Sequence, residues 1–319
     1  MLLISLNFSL LKFEKQSNNM NTKLRVSIGI SAYNEEKNIA FLLRELLKQS
    51  QHDWSLKEII VCSDGSTDKT VHQSKLVRSS FIKILEDRTQ KGKVKRVEQM
   101  FQSFEGDVLV LLDADLKLEN NVVIENLIKP FHSSSEIVLT AGNTRPFKPT
   151  TFFERAVYST FMVFDESRKF KNNGNNIFGC NGGCLAIDKT FARSLRFPNI
   201  INEDDYIYFS CVKAGLNFKH VPNAIVYYKL PNNLRDYLKQ SFRSNPDAVI
   251  QNFSHYFGDL VAQEYSRPIV PYIVAILKSF FRYPLETIYI SVIALLSKPF
   301  YPIISKRFKL SWYTAASTK

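Results

Sequence analysis

Apolar positions along the chain fall into two rhythms. Residues 24–31, LRVSIGIS, are β-branched and almost continuously apolar, and shorter runs of the same kind occupy 57–62, 81–85 and 107–112. Such runs, bounded by turn residues, predict buried strands. Between them the apolar spacing is helical: Ile39, Leu42, Leu43, Leu46 and Leu47 within 38–48, and an amphipathic stretch over 92–104. Strands alternating with helices predict a mostly parallel sheet with helices on both faces. In such sheets ligands bind beyond the carboxyl ends of the strands. The loops 32–36, 63–68 and 113–115 each follow such an end, so they are expected to gather around one crevice. Asp68 is placed to cap the helix that follows 63–68.

After about Thr140 the pattern changes. Residues 152–169 are aromatic-rich and helical in spacing, and 171–183 form a polar Asn/Gly loop ending GCNGG. A strand is expected at 185–188 and a helix at 189–195. Four residues, Asn202-Glu203-Asp204-Asp205, precede a helix at 206–214. Two further apolar runs, 269–277 and 285–296, are shorter than the roughly 20 residues of a membrane span. Lys278 and Arg282 interrupt them, and Pro271, Pro284, Pro299 and Pro302 punctuate the segment. Two helices lying in a membrane interface are the expectation, with one tilted span over 283–304 or a soluble amphipathic tail as alternatives. The chain divides on this reading into an N-terminal extension (1–22), a first half (23–140), a second half (141–255) and a tail (256–319). It has no internal repeat and no low-complexity tract.

With 319 residues, 45% hydrophobic and 23% charged, the chain has globular composition and length enough for a large core. Its net charge of +12 favours an anionic partner. The excess is uneven: residues 267–319 hold eight Lys or Arg against the single acid Glu286, a net +7. A basic tail that is also apolar and aromatic suits a membrane surface and argues against a nucleic acid. Cys62, Cys180, Cys184 and Cys211 are few and make no Cys-x-x-Cys pair, which fits a reducing cytoplasm and no zinc site. The apolar start, residues 1–13, lacks the basic flank and cleavage site of a signal peptide, and Met20 is an alternative start.

Several polar groups interrupt this frame. Asp113 and Asp115 end the run VLVLL, and two carboxylates at one strand end repel unless a cation lies between them. Mg²⁺ and Mn²⁺ take such oxygen ligands together with substrate phosphates; a solvated turn is the plainer alternative. Asp64, in SDGSTD, can accept from a base or a ribose, or can simply belong to a strand–helix turn. Arg88, Lys91 and Lys93 around Gly92 suit a diphosphate, though a basic loop is common on surfaces. Glu203, Asp204 and Asp205 either favour a helix N-terminus or provide a general base. Gln240 and Arg243 share a helix face, where Arg243 can meet a departing diphosphate.

SAYNEE, SDGSTD, KGK, DAD, EDD and QSFR follow one another over about 220 residues. This ordered set resembles the family 2 glycosyltransferases and their GT-A fold, an α/β, Rossmann-like, mostly parallel sheet flanked by helices. The resemblance covers about 26–243. It implies inverting transfer of a sugar from a nucleotide-diphosphate donor, by default UDP-linked, to a glycan or lipid-linked acceptor at the cytoplasmic face of the cell membrane. It places the nucleotide on Ala32, Tyr33, Asn34, Glu35, Asp64 and the Arg88–Lys91–Gly92–Lys93 loop. It places a Mn²⁺ or Mg²⁺ ion and the diphosphate on Asp113-Ala114-Asp115. Asp204 matches the catalytic base, flanked by Glu203 and Asp205, and Gln240 and Arg243 match a Gln-x-x-Arg-Trp element. Ser244 stands where that element has tryptophan, which argues for single addition over chain elongation. A nucleotide-sugar-binding subunit without activity is the alternative. A nucleotidyltransferase would need a glycine-rich basic loop after the first strand, and a dehydrogenase a Gly-x-Gly-x-x-Gly.

Overall fold

The computed structural model describes residues 23–200, 202–243, 246–300 and 316–318. The expected N-terminal extension, Ser244 and the 301–304 end of the alternative span lie outside them. The first half winds as expected: β1 (Leu24–Ala32), α1 (Ile39–Leu47), β2 (Trp54–Asp64), α2 (Thr70–Leu76), β3 (Ile82–Asp87), α3 (Lys93–Ser103) and β4 (Val108–Asp113). The order β3-β2-β1-β4 is parallel throughout. Side chains alternate across it. Val26, Ile28, Ile30, Val108, Val110 and Leu112 pack against α1, while Leu109 and Leu111 pack against α3. Both faces are covered, which is why these strands read as unbroken apolar runs. On the α3 side of β1 a glycine is needed at 29, since a Cβ there would lie 2.5 Å from Met100 Sδ.

The sheet then continues. β5 (Lys117–Leu118), α4 (Val123–Ile128), α5 (Pro130–Ser133) and β6 (Ile137–Pro146) lead to α6 (Phe152–Lys169). After two short 3-10 turns come β7 (Cys184–Asp188), α7 (Lys189–Ser194), α8 (Glu203–Lys213) and β8 (Asn217–Tyr228). The full order is β3-β2-β1-β4-β7-β6-β8-β5, with β7 antiparallel to both neighbours and β5 antiparallel to β8. The result is a mixed, mostly parallel sheet with helices on both faces, as expected.

Several expectations shift. The boundary placed at 140 falls inside β6, and one sheet runs through both halves. β6 and β8 have no regular apolar rhythm: β6 carries Gly142 and Asn143 at a register break, and β8 carries Pro222 and Asn223. The boundary placed at 255 falls inside α10 (Pro246–Phe257), which follows α9 (Leu234–Arg243). Phe253 and Phe257 join the main core with Phe209, so α10 and α11 (Leu260–Tyr265) belong to the globular body. The acids 203–205 form the first turn of α8 instead of preceding it. Asp68 is one residue early as a cap: the N-cap position of α2 is Lys69, and Asp68 accepts from the Thr70 N–H while also receiving the Glu36 N–H. The C-terminal runs form α12 (Ile269–Arg282) and α13 (Pro284–Ser297), and among the described residues no helix is long and apolar enough to cross a membrane.

Candidate active site

The carboxyl ends of β1, β2 and β4 carry the predicted loops, and hydrogen bonds knit the first two together. Asn34 takes a left-handed backbone (φ 54°), which an asparagine tolerates. Its amide oxygen accepts from Thr67 N–H at 2.8 Å, its N–H donates to Ser66 Oγ, and the Glu35 N–H donates to Thr70 Oγ1 at 2.7 Å. Ala32 and Ala114 sit inside the core. Tyr33 is half-buried.

Asp64 is fully buried. Its Oδ1 accepts from the Lys91 N–H (2.8 Å) and from Arg96 Nε (2.7 Å), and its Oδ2 accepts from the Gly92 N–H (2.9 Å). This carboxylate therefore clamps the 91–92 loop to the end of β2. Arg96 was not singled out in the sequence. Its guanidinium is 2% exposed and bonds both Asp64 and Asp87. The only signal was a cation three residues after Lys93 on the inward face of α3.

The three cations of that loop part company. Arg88 is exposed, and Lys91 pairs with Asp87 at 3.2 Å. Lys93 turns inward, with Nζ 2.7 Å from Asp113 Oδ1 and 2.7 Å from Glu203 Oε1. Burial pulls its pKa down, but Asp113, Glu203 and Asp204 more than offset this and raise it, so the ammonium stays charged. Burial raises the pKa of Glu203 against the pull of Lys93, and it pushes Asp205 up to about 7 with help from the Asp204 charge. Asp205 has partners of its own, Tyr265 Oη at 3.0 Å and Asn202 Nδ2 at 2.9 Å.

Asp204 takes a different partner. Its Oδ2 accepts from the Gly182 N–H at 2.9 Å. The adjacent Gly183 carbonyl accepts from the Asp113 N–H at 3.1 Å. The turn Asn181-Gly182-Gly183 thus stands between the end of β4 and the start of α8. It gets there because β7 runs antiparallel to β4, with Cys184 opposite Leu112. Ser31, Lys93, Asp113, Gly182 and Glu203 line one small crevice at this point. The GCNGG stretch was visible in the sequence only as a polar loop. Gln240 is half-buried on α9, and the side chain of Arg243 lies outside the described residues, so the role expected of that pair stays an expectation.

Gly182 carries a sharp test. A Cβ there would lie 2.8 Å from Asp204 Oδ2. Gly182→Ala is expected to push the Asp204 carboxylate aside and to lower kcat/KM about 100-fold, the cost typical of a misplacement near 1 Å. Nucleotide affinity, measured by calorimetry, should change less than about twofold.

Asp113 and Asp115 offer hard oxygen donors at one strand end. Among the described residues no three His, Cys, Asp or Glu side chains gather into a metal cage. The pair fits a hexacoordinate cation that takes one or two carboxylates and completes its shell with substrate phosphates and water.

Comparison with known proteins identifies the family and the fold. Residues 27–196, more than half of the chain, match glycosyl transferase family 2. The chain is 25% identical over 197 residues to the UDP-Glc:alpha-D-GlcNAc-diphosphoundecaprenol beta-1,3-glucosyltransferase WfgD of Escherichia coli, covering 59% of this chain and 70% of that protein. Among solved structures it is similar to the mannosyltransferase PcManGT of Pyrobaculum calidifontis in complex with GDP-Man and Mn²⁺, with a TM-score of 0.56 and 14% identity over 91% of this chain and 81% of the other. It is also similar to glucosyl-3-phosphoglycerate synthase of Mycobacterium tuberculosis with Mn²⁺, UDP and phosphoglyceric acid, with a TM-score of 0.52 and 18% identity over 72% of this chain and 78% of the other. Acids from β4 and α8 that meet across a glycine turn, on a sheet of this order and over this matched span, mean that the chain belongs to glycosyl transferase family 2 and is a glycosyltransferase.

Proposed function

We propose that the chain is an inverting hexosyltransferase that moves a sugar from a UDP-linked donor to a lipid-linked or cell-envelope glycan, at the cytoplasmic face of the membrane. The observation that carries this reading is the meeting of Asp113, Lys93 and Glu203 in one crevice, with the Asp204 carboxylate bonded to the Gly182 N–H at its wall. The relatives lend weight to the substrate classes, since the E. coli protein is named for a UDP-glucose donor and a diphosphoundecaprenol-linked sugar.

The residues divide the work. The interlocked 33–36 and 63–68 loops hold the nucleoside. Asp113 and Asp115 would hold a Mn²⁺ or Mg²⁺ ion, which when bound neutralises the leaving diphosphate. Lys93 adds a fixed positive charge beside it. Asp204 faces the crevice from the other side, steadied by the Gly182 N–H, and takes the acceptor hydroxyl proton as its oxygen bonds the anomeric carbon. The anomeric carbon–phosphate oxygen bond breaks in the same step, and the nucleoside diphosphate departs with the electron pair. Attack opposite the leaving group inverts the anomeric centre. Glu203 positions Lys93, and Asp205, held by Tyr265 and Asn202, anchors the first turn of α8.

A panel of nucleotide sugars with Mn²⁺ tests this directly. A UDP-sugar at about 100 times its Kd should stabilise the protein by about 2.7 kcal/mol, seen as a rise in Tm of several degrees. If no nucleotide sugar moves the melting curve, the reading fails.

A further inference from the structure

The hairpin α12–α13 is built inside out. Its buried positions are small or polar: Ala275 and Ser279 on α12, and Glu286, Thr287 and Ser297 with the one large apolar residue Ile290 on α13. Its outward positions are large and apolar. Ile269 is 74% exposed, Phe281 80% and Leu285 69%, and Ile273, Ile288, Val292, Leu295 and Leu296 are exposed beside them. A helix pair shaped for water turns its apolar stripe inward. A pair shaped for lipid does the reverse, with small and polar residues toward the protein.

The inward contacts are specific. Ser279 Oγ donates to the Ser159 carbonyl of α6 at 3.0 Å, Thr287 Oγ1 donates to the Ser279 carbonyl at 3.3 Å, and Glu286 pairs with Arg155 of α6 at 2.8 Å. The hairpin is thus bolted to α6 by polar groups, and its apolar surface is left facing away from the protein.

We infer that this hairpin inserts into one leaflet of a lipid bilayer, with Phe281, Leu285 and the outward apolar faces of both helices in the hydrocarbon and the Arg282 guanidinium reaching back to the headgroups. The inference rests on the membrane partner proposed above and names the element that makes the contact. Three observations select lipid as the occupant. Each helix has 14 residues, so it is about 21 Å long, short of a hydrocarbon core of about 30 Å but ample for a single leaflet. Arg282 and Lys298 are exposed, Lys278 pairs with Glu166 of α6 at 2.6 Å, and Glu286, the only acid over residues 267–300, is buried against Arg155. A second copy of the same face would bring like charges together, whereas anionic headgroups complement them. Burial of apolar area, not charge, then supplies most of the attachment, in contrast to a purely basic tail.

Flotation of the full chain with phosphatidylcholine vesicles tests this. The wild type should float with neutral vesicles at about 0.5 M salt, where exposed charges are strongly screened. The double variant Phe281→Asp with Leu285→Asp should partition about tenfold less or worse. Both side chains face outward, so its melting curve and its binding of UDP with Mn²⁺ should match the wild type. Binding that needs anionic lipid, vanishes at high salt and survives the double variant overturns the inference. So does a stable wild-type dimer by light scattering that the double variant splits, with no flotation. Loss of UDP binding in both proteins with flotation intact would instead sink the transferase reading and leave the hairpin standing.

Discussion

Asp204→Asn should lower the transfer rate about 1,000-fold while leaving donor affinity unchanged, within the 10²–10⁴-fold range of a removed general base. The amide has the same shape, and its oxygen can still accept from the Gly182 N–H that holds Asp204 Oδ2 at 2.9 Å. The other carboxylate oxygen accepts from the Asp205 N–H at 3.0 Å, a bond the amide nitrogen cannot make, so a modest fall in melting temperature is expected beside the loss of the base. Asp205 is a poor substitute, because Tyr265 and Asn202 already occupy its oxygens and it is buried. The measurement is release of nucleoside diphosphate in the presence of acceptor, with calorimetry for the donor. A variant within about fivefold of wild type would assign the base elsewhere. Equal, negligible rates in both proteins would favour a binding subunit.

The second large effect concerns the other side of the crevice. Asp113→Ala combined with Asp115→Ala should weaken UDP binding in the presence of Mn²⁺ about 100-fold, or ~3 kcal/mol. With excess chelator and no divalent ion, wild type and variant should bind UDP alike. The variant also removes one of the two carboxylates holding Lys93, but Glu203 at 2.7 Å keeps that ammonium paired, so the melting temperature should fall only modestly. Calorimetric titration of UDP with and without Mn²⁺ separates the cases. If Mn²⁺ strengthens UDP binding equally in both proteins, the two aspartates are not the cation's ligands.

Legibility followed burial. β1, β2 and β4 could be read because both of their faces are covered, and continuous β-branched sequence has few other uses. β6 and β8 could not, since Gly142, Asn143, Pro222 and Asn223 break the rhythm at a register irregularity that only their pairing explains. The acids 113, 115, 203 and 204 stood out as residue types in a telling order. That acids 113 and 204 should share a cleft was expected from the resemblance, but the element that joins them was not. It depends on the reversal of β7, which lays Gly183 against Asp113 and lets Gly182 reach Asp204. A sequence shows a glycine pair but not which strands it joins. Lys93 was noticed as a cation for a phosphate, and the structure places it between two carboxylates as well. The tail was legible in kind, as two short helices, but not in which faces they turn outward, because that follows from polar contacts to α6 more than a hundred residues earlier in the chain.

The clamp made by Asp64 has a practical bearing on redesign. Because this carboxylate grips the backbone at 91 and 92 and Arg96 backs it, the end of β2 and the helix that presents the Lys93 ammonium are tied together. On the proposed assignment of the nucleoside to the 33–36 loop, retuning which base is accepted means leaving residues 64 and 96 alone and varying 33–36. Substitutions in the clamp would lower turnover for every donor at once, a loss of activity that leaves the ratio between donors unchanged.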